Sequence, residues 1–412
     1  MLDKLSIRAF KSLREFTINP SRVNLLIGAN GTGKSNFADL VAFMATLSSL
    51  GLSGTIKHFG GLRQVRTRQP GAPSELKVEF HLGENPSRGI QEVHYCLALA
   101  PSAEIKVQSE ILQATLYKRL PPKQGVPHFD TAQPIKLRYR RQGNRVTEWS
   151  TELGTITEFD DEKELLLASY GRLGELRTIS DYLSSWRVYN IDATMVKQSI
   201  KANGYDLSRY GTNMVSFVAR MLQNPSIRPQ FLQDLRLAVP YIQDIQPERV
   251  LTTQTLRFSE SDSGAEFQLP EMSDGTIRLL ALLAILRQPV PPAVMVIEEP
   301  ENALHAVAIH HLLEVARSVT VNKQFPSQIF FTSHSNTVLD EILSIEAMQA
   351  TQLQTACFIT QRKPHAPAIV EAPATVLGAI RQNLGRPSDF WREGSFEDEP
   401  YEPTFEILES EE

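Results

Sequence analysis

Cysteine is almost absent from this chain of 412 residues: only Cys96 and Cys357 occur. Two thiols exclude a disulfide framework and a structural cysteine-rich zinc site, and they fit a reducing, cytoplasmic location. Long apolar runs are also missing. The longest, Leu279 to Leu286, falls well short of the ~20 residues a membrane-spanning helix needs, so no membrane partner is expected. The first residues alternate charge and apolarity (Asp3, Lys4, Arg8, Lys11), which argues against a signal peptide. Internal repeats, sustained heptads and Cys-x-x-Cys pairs are absent too. A strong charge imbalance is lacking: the net charge is −5. That value hides an uneven distribution. Residues 393–412 hold nine acids and no Lys or Arg, which leaves residues 1–392 at +4. A mildly basic body permits an anionic partner without demanding one.

What is present reads as an α/β protein. Residues 3–10 have strand character and run into Phe10-Lys11-Ser12. Val23 to Ile27 is short and apolar apart from Asn24, the pattern of a strand buried on both faces. From about 72 to 150 the period is two, in segments starting at Leu76, Val93 and Ile135, which predicts antiparallel strands. From about 160 to 246 the pattern is helical, as in Val215–Leu222 and Phe231–Val239. A hairpin is expected around Ser261–Gly264. Then a helix (276–287), a buried strand (294–297), a helix (305–318), a strand (327–331) and a helix start (336–343) alternate, which implies a parallel sheet.

The strongest motif is Gly28-x4-Gly33-Lys34-Ser35 between the buried strand and an amphipathic helix. Glycines let successive N–H groups face one concavity, and the helix start adds its positive end. The candidate nucleotide-binding residues are Asn30, Gly31, Thr32, Gly33, Lys34, Ser35 and Asn36. Lys34 would reach the β- and γ-phosphates and the Ser35 hydroxyl would bind Mg²⁺. Val294 to Ile297 ends in Glu298-Glu299-Pro300. In an open α/β sheet, ligands sit beyond the carboxyl ends of strands. Glu298 is therefore a candidate metal ligand and Glu299 a candidate general base. Ser273-Asp274-Gly275 opens a helix and offers a hydroxyl and backbone N–H groups to an anion. Ile329 to Ser333 is a further strand, ending at His334, a candidate contact to the γ-phosphate. His305, His310 and His311 do not align on one helix face and are not read as a zinc site. Lys136, Arg138 and Arg140 alternate on one strand, with Arg141 and Arg145 close by, and Arg63, Arg66 and Arg68 form a second group; both are candidate nucleic-acid contacts.

The order of these motifs, from Phe10-Lys11-Ser12 through the glycine loop, Ser-Asp-Gly-Thr, Ile-Glu-Glu-Pro-Glu-Asn-Ala-Leu-His and Thr-Ser-His-Ser, resembles ABC-type ATPases of the RecF/SMC/OLD group. It is similar to the AAA family ATPases of prokaryotic defence systems, including Septu- and retron-associated ones. The resemblance is specific over residues 1–50 and 268–345. It implies a P-loop NTPase head of ABC type with an antiparallel β subdomain and a helical insertion, binding ATP and Mg²⁺. It implies that Ser273, Asp274 and Gly275 form a signature motif acting on the nucleotide of another subunit, that Glu299 is the catalytic carboxylate and His334 the switch histidine, and that Glu301 to His305 occupy the D-loop. Gln64 and Gln69 are the Q-loop candidates. Glu298 stands where the family often has Asp.

The expected partition is 1–71 and 251–372 for the two parts of the ATPase core, 72–150 for the β subdomain, 151–250 for the helical insertion, and 373–412 for a C-terminal helix and acidic tail. The segment between Ser35 and Ser273 has no long coiled coil, unlike a chromosome-scale SMC protein. The stretch after His334 has no Asp-x-Asp cluster, so no Toprim nuclease is expected. The expected function is ATP hydrolysis coupled to head-to-tail pairing of two copies, or a higher oligomer. It would regulate DNA or a separate effector such as a nuclease or toxin, in anti-phage defence. A RecF-like repair ATPase is the alternative, and a transporter ATPase subunit is disfavoured by the long central insertion. A GTPase is disfavoured because Asn322-Lys323-Gln324 is followed by Phe325 rather than Asp. The aromatic and apolar residues spaced through the acidic tail suggest that it docks on a basic surface.

Overall fold

The computed structural model describes residues 1–68, 71, 73–123, 126–151, 155–198, 206–250, 253–261, 263–322, 324–344, 355–361 and 369–396. Gln69 and the acidic tail beyond Phe396 lie outside the described residues.

Period-two alternation builds the first sheet. Its strands are β1 (Leu2–Phe10), β2 (Leu13–Ile18), β4 (Leu76–Leu82), β5 (Ile90–Leu99), β6 (Val107–Lys123), β7 (Val126–Gln142) and β8 (Arg145–Ser150). They run antiparallel in the order β2-β1-β4-β5-β6-β7-β8. The N-terminal strands therefore extend the antiparallel sheet rather than the parallel one. Leu5 pairs with Ile18 on one side and Phe80 on the other, and all three bury the same apolar face.

Short strands, wholly buried at the centre, build the second sheet: β3 (Val23–Ile27), β9 (Arg187–Tyr189), β13 (Val294–Glu298), β14 (Gln328–Ser333), β15 (Thr355–Thr360) and β16 (Ile369–Glu371). The order is β16-β15-β3-β14-β13-β9, with only β16 antiparallel to its neighbour. β9 is a departure from the all-helical reading of this region: three residues within it cross over to pair with β13. A small third sheet joins β10 (Ile242–Val250), β11 (Thr253–Glu260) and β12 (Glu266–Gln268).

Twelve helices complete the described residues: α1 (Lys34–His58), α2 (Leu62–Val65), α3 (Leu166–Tyr170), α4 (Leu176–Ser184), α5 (Ala193–Lys197), α6 (Met214–Leu222), α7 (Arg228–Ala238), α8 (Asp274–Leu286), α9 (Ala306–Thr320), α10 (Asn336–Leu343), α11 (Ala374–Arg381) and α12 (Pro387–Arg392).

Strand alternation divides the core in two across the parallel sheet. Leu25, Ile297 and Phe331 face the helical side, which α6 to α10 cover. Leu26, Val296 and Phe330 face the other side, shared with α1 and the antiparallel sheet. α1 is long and apolar enough by composition to cross a membrane, which no single run of residues suggested. Here it is a core helix. Phe37, Leu40, Val41, Phe43 and Met44 are buried, and Gly51, at φ 69°, breaks the helix before its last turns.

Candidate nucleotide-binding site

β3 ends at Ile27, and the chain turns through Gly28–Gly33 into α1. Gly33 has φ 123°, a conformation that L side chains avoid, which explains glycine directly before Lys34. The Lys34 ammonium is folded into this loop and donates to the carbonyls of Gly28 (2.6 Å) and Ala29 (3.0 Å). Burial pushes its pKa down, while the carboxylates of Glu299 and Glu301 work in the opposite direction. Thr32 Oγ1 donates to Ala29 O (2.8 Å) and meets Thr360 Oγ1 at 2.6 Å, so the end of β15 closes one side of the loop. Asn30, Gly31 and Ser35 are exposed.

The Phe10-Lys11-Ser12 turn supports the helix start from below. Asn36 Nδ2 donates to Ser12 Oγ at 2.5 Å, and Lys11 Nζ donates to Asp39 Oδ2 at 2.5 Å. Lys11 itself sits at φ 49°, which the tight turn between β1 and β2 requires.

β13 delivers two carboxylates with different surroundings. Glu298 is buried, at 3% relative exposure, and its Oε1 accepts from Arg209 Nη2 at 2.6 Å. The other guanidinium nitrogen, Nη1, donates to Asp39 Oδ1 at 2.7 Å. Lys11, Asp39, Arg209 and Glu298 thus form one chain of charges from the first turn to the strand end. Glu299 is more open. Its backbone is left-handed, with φ 46°, and is held by an N–H bond to Thr332 O (2.8 Å). Asn302 Nδ2 donates to Glu299 Oε2 at 2.7 Å. Non-glycine residues held at positive φ are costly and cluster at working sites.

β14, the neighbour of β13, brings His334 to the same edge. Its Nδ1 lies 3.6 Å from Glu299 Oε1 and 3.7 Å from Glu301 Oε1. Glu301 Oε1 also accepts from Ser333 Oγ (2.6 Å) and from the His334 N–H (3.3 Å), which fixes the turn after the strand. β3, β14 and β13 are adjacent and parallel, so the glycine loop, His334 and the Glu298–Glu299 pair emerge at one end of the sheet.

Ser273 caps α8: its Oγ accepts from the Thr276 N–H at 3.1 Å. Ser273 and Asp274 are exposed, and Asp274 pairs with Lys197 at 2.8 Å. Gly275 abuts the turn after β13; a Cβ there would lie 2.3 Å from Ala303 O. Arg278, on the same helix, is buried and donates to Glu299 O at 2.6 Å, to Glu298 O at 3.2 Å and to Ile191 O. The helix that opens with Ser273 is therefore tied directly to the carboxylate-bearing strand end.

The profile of the family described as "AAA domain, putative AbiEii toxin, Type IV TA system" matches residues 128–340, just over half of the chain. The chain belongs to this AAA family. Solved structures add the fold. The SMC head bound to the C-winged helix domain of ScpA aligns with a TM-score of 0.53 at 12% identity, covering 91% of this chain and 98% of that one. The SMC head with an extended coiled coil bound to the C-terminal domain of ScpA, from Pyrococcus furiosus, gives 0.52 at 10% identity, covering 93% and 99%. No curated protein sequence matches. These likenesses, at 10–12% identity, show that this member of the AAA family has the fold of an SMC head domain. The family match takes in Glu298, Glu299, Ser273 and His334; the glycine loop lies outside it and rests on its own motif and geometry.

Other candidate residues of this AAA protein fall elsewhere. The Gln64 amide oxygen on α2 accepts from Arg68, and none of its described contacts joins it to the glycine loop. On β7, Lys136 is exposed, Arg138 Nε pairs with Glu148 at 3.0 Å, and Arg140 is half-buried. Arg141 is not part of a surface cluster. Strand alternation puts it on the inward face with Leu137 and Tyr139, opposite Arg138 and Arg140, where it is fully buried and donates to the carbonyls of Gly143, Asp161 and Glu164. Arg66 is likewise a structural clamp on the carbonyls of Ala100 and Ser102. Sequence reasoning missed Asp39 and Arg209. Asp39 carries a signal, since it lies one helical turn after Ser35 on the same face; Arg209 carries none.

Proposed function

We propose that this chain binds ATP with Mg²⁺ in the loop between β3 and α1, hydrolyses it, and uses the cycle to pair two copies head to tail and control a separate effector. The observation that carries this reading is the convergence of the glycine loop, Glu298–Glu299 and His334 on adjacent parallel strand ends. Lys34 and the loop N–H groups hold the phosphates. Glu299 takes the proton of the attacking water, and its Asn302 and backbone contacts hold the carboxylate in place. His334, beside Glu299 and Glu301, contacts the γ-phosphate. The oxygen donors Ser35, Glu298 and Asp39 suit Mg²⁺, a hard cation. A guanidinium already bridges two of those three donors, which supports a place for positive charge between them. Mg²⁺ held by these residues would neutralise charge building on the phosphates.

Exposure of Ser273 and Asp274 supports their acting on a second copy. Arg278 then offers a route from that contact to the backbone of Glu298 and Glu299. A partner protein is supported by the SMC heads of similar fold, which are bound to ScpA domains. A defence role is supported by the toxin–antitoxin description of the family. Steady-state ATP turnover with and without Mg²⁺, read beside ATP-dependent mass by light scattering, tests the reading. Turnover without any change of mass would remove the pairing step. Absence of both would remove the ATPase assignment.

A further inference from the structure

A second cluster of ligand-type side chains lies on the antiparallel sheet, in residues that the nucleotide site does not use. β4 and β5 pair so that His81 stands opposite His94 and Glu79 opposite Cys96. Residues two apart on a strand share a face, so these four side chains lie together. Glu79 Oε1 is 3.5 Å from His94 Nε2 and 3.6 Å from His81 Nε2. One ligand atom from each of the three lies within 4.8 Å of the others. Glu79 is fully buried and His94 is 9% exposed. Both Glu79 oxygens and both Nε2 atoms are buried without a hydrogen-bond partner.

These atoms have charged neighbours but no hydrogen bond, which is unusual because buried polar groups are nearly always satisfied. Metal–ligand bonds of about 2.0–2.1 Å in tetrahedral geometry hold ligand atoms roughly 3.3 Å apart. The observed separations are within a few tenths of an ångström of that. We propose that Glu79, His81 and His94 form a binding site for a divalent transition-metal ion of the zinc class. Two imidazoles with one carboxylate favour Zn²⁺ over Mg²⁺ or Ca²⁺, which prefer all-oxygen shells. Lys77 and Lys4 lie 3.6 and 4.0 Å from the carboxylate, beyond hydrogen-bonding distance. They balance its charge, and their flexible stems swing outward when a dication enters. Cys96 sits across the ladder from Glu79 as a neighbour rather than one of the three ligands.

The test uses the full chain, stripped with chelator and free of nucleotide. Zn²⁺ is titrated against a chromophoric chelator, and Co²⁺ serves as a visible-absorption probe. The expected result is one Zn²⁺ per chain, a four-coordinate Co²⁺ spectrum, and affinity at least tenfold lower in His81→Ala and in His94→Ala. Lys77→Met is expected to strengthen binding severalfold by removing a competing charge. His81 is the most open of the three, with a side chain 27% exposed, so His81→Ala carries the test if His94→Ala fails to fold. No Zn²⁺ uptake by the folded wild type, or uptake unchanged in His81→Ala, overturns the proposal and leaves Glu79 as a counter-ion for the lysines.

Discussion

Arg209 holds its charge in a partly buried position because two carboxylates outweigh the loss of solvent. Burial acts against the guanidinium, and the bonds to Asp39 and Glu298 reverse that and raise its pKa. Removing one partner of a buried ion pair leaves the other uncompensated, at about 3–5 kcal/mol. Arg209→Met is therefore expected to lower the melting temperature in Mg²⁺-free buffer and to recover much of the loss when Mg²⁺ is added. Thermal unfolding with and without Mg²⁺ checks this; equal losses in both buffers would mean that the Arg209 position and the metal position are unrelated. At Glu299, replacement by Gln keeps the shape and the Asn302 contact but removes the base. Turnover should fall by on the order of a hundredfold or more while ATP binding persists. Lys34→Ala should instead weaken ATP binding itself. Turnover assays combined with nucleotide-binding measurements separate the two effects, and near-normal turnover by Glu299→Gln would take that carboxylate out of the catalytic role.

α8 is the element through which a second copy would act on the carboxylates. Its first turn is packed so closely on the turn after β13 that Gly275→Ala forces the two apart, since the new methyl meets Ala303 O. Overpacking of this kind costs about 1–3 kcal/mol, and denaturant midpoints on the variant measure it. Ser273→Arg places a bulky cation at the same helix start and should block ATP-dependent pairing. Mixed with Lys34→Ala protein, it should regain one working composite site per pair, seen as ATPase activity in the mixture that neither variant has alone. These elements were the legible part of the sequence. β3, β13 and β14 are short, mostly apolar and lead into glycine, a second carboxylate and histidine respectively, so their buried, parallel character and their site-bearing ends could be read directly. β9 has three residues, too few for any period to show, and only its register with β13 reveals it. The inward face of Arg141 follows from alternation with Leu137 and Tyr139 and was open to reading, whereas Arg209 reaches Glu298 across 89 positions and follows from no local pattern. Membership of β1 and β2 in the antiparallel sheet was hidden because the strand that covers them, β4, comes some sixty residues later.

At the scale of the whole molecule, burial has placed several weak acids where they resist ionisation. Burial pushes the Cys96 thiol up to about 11, and the Cys357 thiol and the Tyr189 phenol up to about 12. It is also the main cause that raises Tyr95, Tyr139 and Tyr182. In the unfolded chain these groups lose protons near their ordinary values, about 9 for Cys and 10 for Tyr, while the fold keeps them protonated. The unfolded state then binds fewer protons, so stability falls as pH rises above about 9. Urea midpoints at pH 7.5 and 10.5 should show a marked drop, and a flat profile would contradict it. Both thiols should also label slowly with maleimide until the chain unfolds. The chain is moreover closed on itself. The Gln328 side chain accepts from the Leu2 N–H at 3.0 Å and donates to Leu2 O at 2.9 Å, joining positions 326 apart. β3 lies between β14 and β15, so the strand that carries the glycine loop has no sheet neighbour until the chain has been made past Gln328. The nascent polypeptide must carry β3 as a sticky, unpaired segment until β14 is made, whereas α1 meets α3, α4 and the antiparallel sheet earlier. Such long-range closure is slow and exposes apolar surface meanwhile. Yield in a cell should therefore depend on holding chaperones and on elongation speed more than the stability of the finished protein would suggest.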